Sequence, residues 1–318
     1  MGQGGARGEH AGRIANKQES ALKPIRTALF APGIKDKVMG KALESGADAV
    51  ILDLEDSVPL ASKAEARVLV AKVIDAVAAA GKAAGPQIYV RVNGAQTGLL
   101  ADDLAAVVRP GLNAILLPKV ESVEEVQGTD ADIARHEKTH GMTAGSVEII
   151  LQIESALGVH RCYDLIKASK RVGGTCIGVA QDGDLQTDLG CSWSLEGTEL
   201  LYARSKVLLE TRAAGPDICP IDGVFSALSD EAGLIQDTRL SARLGYIGRT
   251  VIHPKQIAPV KQAYAVPADQ VAYYSKVVTE FDAALKTGAA AIVIEGKLVD
   301  YAMYQRAKRV LAVAALDK

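Results

Sequence analysis

One recurrence constrains this chain more than any other feature. From Arg26 onward, short β-rich apolar runs alternate with longer stretches of helical periodicity. The runs are "TALFAPG", "AVILDLED", "QIYVRVNG", "NAILLPKV", "VEIILQIE", "GTCIGVAQD", "DICPIDG" and "IGRTVIHP", eight in all. Between them lie segments such as "KDKVMGKALESG" and "LASKAEARVLVAKVIDAVAAAG". Both end in Gly, the usual residue just past a helix. Strands this apolar need cover on both faces, which crossover helices of a parallel sheet supply. Eight strands alternating with helices predict an α/β fold, a (β/α)₈ TIM barrel. A doubly wound open sheet accounts less well for 318 residues, and no glycine-rich phosphate loop supports it.

The pattern changes after Pro259. Residues 268 to 286 read as a helix, "AAIVIEGKLV" as a short strand-like run, and residues 300 to 316 as a second helix. The predicted organisation is a mobile N-terminal tail (1–20), a TIM-barrel catalytic domain (21–265) and a C-terminal helical lid segment (266–318). The glycines of the tail follow no strand, so they do not form a dinucleotide loop.

Composition limits the partners. The formal net charge of -2, well mixed along the chain, offers no basic surface for a phosphate backbone, so no nucleic-acid partner is expected. No stretch reaches the ~18 uninterrupted apolar residues of a membrane span. The longest rival, "VLVAKVIDAVAAAGKAAG", is broken by Lys72 and Asp75. The first residues lack the apolar core of a secretory signal. Cys162, Cys176, Cys191 and Cys219 are scattered without a C-x-x-C pair, which suits a reducing compartment. The expected location is cytoplasmic.

In a barrel of this kind the chemistry sits where strands end and βα loops begin. The first strand ends in Phe30, Pro32 and Gly33; the second in Asp53, Glu55 and Asp56; the third in Arg91 and Asn93. Lys119, Glu154, Asp182 with Asp184, and His253 close the fourth, fifth, sixth and eighth. Charges that converge on one end of an apolar barrel carry a desolvation cost that a scaffold alone does not require. Carboxylates with few other protein ligands, Glu154 and Asp184, suit Mg²⁺, which keeps several waters and leaves sites for substrate oxygens. Arg91 is a forked donor for a carboxylate or an enolate oxygen. A metal and an Arg around one pocket suggest enolate chemistry, with a C–C bond made or broken next to a carbonyl. The competing reading of each residue singly is a salt bridge that stiffens the barrel rim.

Other patterns carry less. "HEKTH", residues 136 to 140, fits the zinc-protease H-E-x-x-H, but Gly141 ends its helix at once and the motif points to the barrel's inert end. His160 reads as a surface residue. There is no G-x-S-x-G elbow and no Walker A loop. Trp193, and Tyr273, Tyr274 and Phe281 at helical spacing, read as packing.

The blocks "RTALFAPG", "GADAVILDLEDSV", "YVRVNG", "ILLPKVES", "QIESALGV", "DLQTDLG" and "VIHPKQI" resemble the citrate lyase β-subunit-like proteins, which stand with malyl-CoA and citramalyl-CoA lyases in the HpcH/HpaI aldolase superfamily. The resemblance spans roughly residues 24 to 314. It implies a Mg²⁺-dependent lyase (Mn²⁺ being an alternative) that splits a 3-hydroxyacyl-CoA into an acyl-CoA and a 2-oxo acid, glyoxylate or pyruvate. It makes Glu154 a metal ligand and Asp184 the second. Gln181 stands where the family commonly has Gly, so Asp182 remains a candidate for that second place. Arg91 would hold the 2-oxo acid and the enolate oxygen. Phe30, Lys35, Lys41, Ile252 and His253 fall at positions that touch substrate or CoA, with Lys35 where an Arg is common. Asp300 matches a lid aspartate that enters a neighbouring subunit's site and acts as acid/base, which implies a homo-oligomer, a trimer by resemblance.

In "AVILDLEDSV" strand alternation would put Asp53 and Glu55 on one side and Leu54 and Asp56 on the other. Glu55 and Asp56 then read as groups that orient metal-bound water and Arg91, and Asp53 as a structural partner of a Lys or Arg. Two alternatives stay open. One is an aldolase on free 2-oxo acids without CoA, which would usually carry a His base in the barrel. The other is a non-catalytic 2-oxo-acid-binding subunit.

Overall fold

The computed structural model describes residues 24–81 and 85–315. The predicted tail lies outside them. Each apolar run becomes a strand: β1 (Thr27–Pro32), β2 (Ala49–Asp53), β3 (Gln87–Arg91), β4 (Ala114–Leu117), β5 (Glu148–Ile153), β6 (Val172–Ile177), β7 (Cys219–Asp222) and β8 (Gly248–Val251). Each strand pairs in parallel with the next, and β8 closes on β1, so the sheet is a complete eight-stranded barrel.

Helices follow every strand: α1 (Asp36–Leu43), α2 (Lys63–Ala80), α3 (Leu100–Val107), α4 (Val123–Thr139), α5 (Ala156–Lys167), then α6 (Asp184–Leu189) with α7 (Leu201–Ala214), α8 (Glu231–Leu244) and α9 (Ile257–Tyr264). Local chemistry sets their ends. Gly81 caps α2 in the left-handed conformation, and Ser122 opens α4 with a reciprocal capping box to Glu125. Two apolar layers result. Ile51, Tyr89, Leu116 and Ile150 are among the residues that fill the barrel, and Leu52, Leu54, Val70 and Ile115 among those packed between strands and helices. This explains why the runs lack simple alternation: one face is buried inside the barrel and the other under helices.

The far end of the barrel holds the "HEKTH" segment. Glu137 is fully buried and accepts N–H bonds from Gly145 (2.9 Å) and Val147 (2.8 Å) and a salt bridge from Arg171 (2.8 Å). Burial alone would raise its pKa; the bonds from Val147, Arg171 and Gly145 outweigh that and lower it. It is a stability element. Another buried ion network spans β7, α7, α8 and β8, where Arg204 pairs with Asp222 and Asp237, and Arg249 pairs with Asp237. Arg249 also donates to the Gly223 carbonyl at 2.8 and 3.0 Å, which fixes the loop after β7.

Beyond α9 come α10 (Ala268–Lys286), β9 (Ala291–Ile294), β10 (Lys297–Asp300) and α11 (Tyr301–Ala314). The single strand-like run expected here is an antiparallel hairpin. Glu295 and Gly296 both have positive φ (51° and 75°), the geometry of a tight hairpin turn that a one-strand reading ignores. The unit has its own small core of Val277, Phe281, Ile294, Val299, Tyr304 and Ala307. Its last turn is tied to the start of β1, where Arg26 donates to the Val313 carbonyl at 2.8 Å. Among the described residues no helix is long and apolar enough to cross a membrane.

Candidate active site

The site is assembled from the ends of β1 to β6. Asp53 and Arg91 are register partners on β2 and β3, so their side chains emerge side by side. Asp53 is almost wholly buried and grips the guanidinium with both oxygens, Oδ1 to Nε and Oδ2 to Nη2, each at 2.7 Å. The Glu55 and Ser57 amides also donate to it (3.0 and 3.1 Å). Burial pushes the Asp53 pKa up, but the bonds and charge of Arg91 push harder, and the result lies below the ordinary range. Arg91 is raised in turn by Asp53, Glu55 and Asp56 against its own desolvation, so it is a permanent cation. The Phe30 ring lies beneath it, 4.9 Å from the guanidinium carbon.

Glu55 Oε2 is 3.0 Å and Asp56 Oδ2 3.5 Å from Arg91 Nη1. The expected alternation therefore holds for Asp53, Leu54 and Glu55 and fails at Asp56. The strand ends at Asp53, and a turn held by Lys63 takes over; its ammonium donates to the Leu54 and Glu55 carbonyls at 2.7 Å each. Both acids come round to Arg91, while Leu54 goes under the helices. Burial raises the Glu55 pKa more than Arg91 lowers it.

Glu154 sits at the end of β5. It accepts from Gln152 Nε2 at 2.6 Å and from the Lys119 backbone N–H at 3.1 Å. Gly178 lies opposite, where a Cβ would stand 2.7 Å from the Glu154 Cβ, so only glycine leaves room for this carboxylate. Burial, with the nearby charge of Glu55, pushes the Glu154 pKa up to about 7. Asp184 opens α6 and lines the same cleft as Glu154, Arg91, Asp56, Gln152 and Phe30. That cleft measures ≈180 Å³. Lys119 Nζ lies 3.1 Å from Glu55, 3.5 Å from Asp184 and 3.6 Å from Asp56.

The other expected site residues stand apart from this cluster. Asp182 is exposed, with φ of 58°, and its N–H is taken by Gln186; Asp184, not Asp182, lines the cleft. Lys35 precedes α1 and is exposed. Lys41 is in its last turn, about 8 Å further from the strand ends at 1.5 Å per residue. Ile252 is 39% exposed, and the His253 ring accepts the Lys255 N–H beside a short 3₁₀ turn; neither lines the cleft. Asp300 is exposed and caps α11 through the Met303 N–H (2.9 Å), and it too is outside this chain's cleft. Sequence reasoning named Lys119 among the strand ends but gave it no role, and it passed over Lys63 and Gln152. A lysine closing an apolar strand was a signal for the first; nothing local marked the others.

The donor set fits a hard divalent cation. Five carboxylates (Asp53, Glu55, Asp56, Glu154 and Asp184) share Arg91, Lys119 and, at one remove, Lys63. Among the described residues no three acids, histidines or cysteines close into a cage, so two carboxylates with water and substrate oxygens are the available ligands.

An eight-stranded parallel barrel whose strand ends gather an arginine fork and oxygen donors has the architecture of a TIM-barrel enzyme with its site at the strand ends. The chain belongs to the HpcH/HpaI aldolase/citrate lyase family, whose model matches residues 26–254, and residues 204–316 match a model described as a C–C bond lyase of the TIM-barrel fold. It is 35% identical to the citrate lyase subunit beta of Leuconostoc mesenteroides subsp. cremoris, over 91% of this chain and 93% of that protein. It is 29% identical to human mitochondrial citramalyl-CoA lyase, over 93% and 87%. In structure it is similar to the CitE protein of Mycobacterium tuberculosis in complex with magnesium, acetoacetate and coenzyme A, with a TM-score of 0.69, 27% identity and coverage of 92% and 98%.

Proposed function

We propose that the protein is a Mg²⁺-dependent lyase that splits a 3-hydroxyacyl-CoA, of the malyl-CoA or citramalyl-CoA kind, into an acyl-CoA and a 2-oxo acid. The observation that carries this reading is the single cleft in which the Asp53-gripped Arg91 fork faces Glu154 and Asp184. The relatives add support: one is named for a CoA-ester lyase, and a structural neighbour carries magnesium and coenzyme A. Glu154 and Asp184 would hold the cation, and Mn²⁺ can replace Mg²⁺ where oxygen donors dominate. Bound there, the ion supplies Lewis-acid polarisation of the oxygen that gains charge.

The chain's own groups do the rest. Arg91, whose Nε and Nη2 are taken by Asp53, would turn its Nη1, which Glu55 and Asp56 contact, to the carboxylate of the 2-oxo acid unit. Glu55 and Asp56 hold that nitrogen in place. In cleavage the bond between the hydroxyl-bearing carbon and the thioester α-carbon breaks. The hydroxyl gives its proton to the Asp300 carboxylate of a neighbouring copy and becomes the oxo group, and the electron pair of the broken bond forms the thioester enolate. Protonation of that enolate at its α-carbon yields the acyl-CoA, and Asp300 from a neighbouring copy is the proposed donor. Leu298, Tyr301 and Met303, all apolar and exposed around Asp300, are the surface expected to cover that neighbour's cleft. A homotrimer in the cytoplasm, with Lys35, Lys41, Ile252 and His253, which lie outside the cleft itself, as CoA contacts, completes the proposal. An aldolase on free acids would want a His base in the cleft, and His253 is turned to the Lys255 N–H instead.

The test is direct. With Mg²⁺ and a panel of malyl-, citramalyl- and β-methylmalyl-CoA esters, glyoxylate or pyruvate is released. Asp300→Asn lowers turnover by at least about 10²-fold, the low end for a general acid, while 2-oxo acid affinity stays within about twofold. Absence of release from every ester, with metal bound, refutes the CoA-lyase reading.

A further inference from the structure

Lys119 occupies an unusual place. Its backbone is left-handed, φ 53°, one of three non-glycine residues in that region among the described residues. Such a conformation is disfavoured for a side chain with a Cβ and persists where the surroundings hold it. Here it lets one residue serve the site twice. The amide N–H meets Glu154 Oε1 at 3.1 Å, and the ammonium reaches over to Glu55, Asp56 and Asp184. The second contact is the informative one. Asp184 has been assigned to the cation, yet the only positive group that an ion pair gives it among the described residues is this ammonium, at 3.5 Å. The side chain is 30% exposed, so it has room to swing aside, whereas Arg91, at 11%, is clamped on Asp53.

We infer that Lys119 is an internal counter-cation of the divalent-ion site. It holds Asp184 beside Glu55 and Asp56 while the ion is absent, and it yields Asp184 when the ion arrives. The affinity of the site is then set by a competition between one tethered charge and one free ion. The inference rests on the proposed cation site and goes beyond it by naming the residue that tunes it. The role is one of positioning and needs no proton transfer. Its direction is unlike that of a merely structural lysine: removal tightens metal binding. A lysine that only braced the ligands would, on removal, loosen it.

The experiment uses the full chain, stripped with chelator and titrated with Mn²⁺ at low ionic strength, where screening is weakest. Binding is followed by calorimetry and by the paramagnetic resonance of free Mn²⁺. Lys119→Met is expected to lower the Mn²⁺ dissociation constant about tenfold, roughly 1.4 kcal/mol. Lys119→Arg, which keeps the charge, stays within about threefold of the parent. Lys119→Gly keeps the amide on Glu154 and suits the left-handed backbone, so it gives the same tightening even where Lys119→Met folds poorly without metal. A larger Mn²⁺-induced rise in Tm for Lys119→Met than for the parent is the second expected sign. An unchanged or weakened affinity in both Lys119→Met and Lys119→Gly overturns the inference. If the parent binds Mn²⁺ and loses it in Glu154→Gln, the cation site stands whatever Lys119 does. If the parent binds none, the site and this inference fall together.

Discussion

Replacing Glu154 by Gln removes a proposed cation ligand, yet it is expected to stabilise the metal-free chain at alkaline pH. Burial and the charge of Glu55 carry this carboxyl from an ordinary 4.5 to about 7 in the folded state. A tenfold change in proton affinity corresponds to about 1.36 kcal/mol. The ionised carboxylate therefore costs the folded state about 3 kcal/mol once pH exceeds 7. The sign follows from proton uptake. Below pH 4.5 the group is neutral folded and unfolded. Between 4.5 and 7 it ionises in the unfolded chain first, so the folded state binds the extra proton and loses stability as pH rises. An amide in its place carries no charge and shows no such loss. Gln152 now donates to Glu154 at 2.6 Å while its own Oε1 is buried without a partner; a flip of that amide would let the Oε1 accept from the new side-chain amide and would turn the Gln152 N–H₂ to the side that lacks a partner.

Urea denaturation in chelator, run from pH 4.5 to pH 8, measures the effect. Glu154→Gln and the parent should coincide within about 0.5 kcal/mol at the acid end, and the variant should gain up to about 3 kcal/mol at pH 8. Saturating Mg²⁺ should reverse the order, because a ligand bound only by the folded parent stabilises it by mass action. A variant no more stable than the parent at pH 8, or a gain independent of pH, would refute the argument that burial and the charge of Glu55 hold this carboxyl's pKa up in the folded state.

Asp53→Asn leaves the buried Arg91 with only the looser contacts to Glu55 and Asp56, and the loss should approach the roughly 3–5 kcal/mol of a broken buried pair. Because the Asp53 pKa is lowered on folding, that stability is present above the ordinary carboxylate range and fades as pH falls through the folded value; chemical denaturation at pH 7 and pH 3 reads the difference, and weaker pyruvate binding by the folded variant reads the displaced fork. Glu137→Gln should cost a similar 3–5 kcal/mol in the same assay, since it strands Arg171, while kcat and KM of the folded fraction stay within about twofold; a selective loss of turnover would place "HEKTH" in the chemistry after all.

Much of this protein was legible in one dimension. The eight apolar runs, their helical spacers and the glycine after α2 are consequences of local periodicity and backbone preference, and the barrel follows because strands buried on both faces need helices around them. The helix at 268–286 was equally plain. Arg91, Glu154 and Asp184 were visible too, since a charge at the end of an apolar run has nowhere to go but the strand-end face. What lay beyond reach was partnership. Asp53 read as a structural acid, but only the β2–β3 register puts it against Arg91. Asp56 was assigned to the wrong side because the strand stops at Asp53 and the turn beyond it is fixed by Lys63, from the start of α2. Lys119 gains its meaning from a side chain 35 residues away that reaches it only when β4 and β5 pair. The sequence by itself determined which segments are strands and helices, because backbone preference and apolar periodicity are local. The tertiary structure alone decided which charges share a cleft, because that depends on distances of a few ångströms between separate strand ends, and electrostatic energy varies steeply over such distances in a buried site.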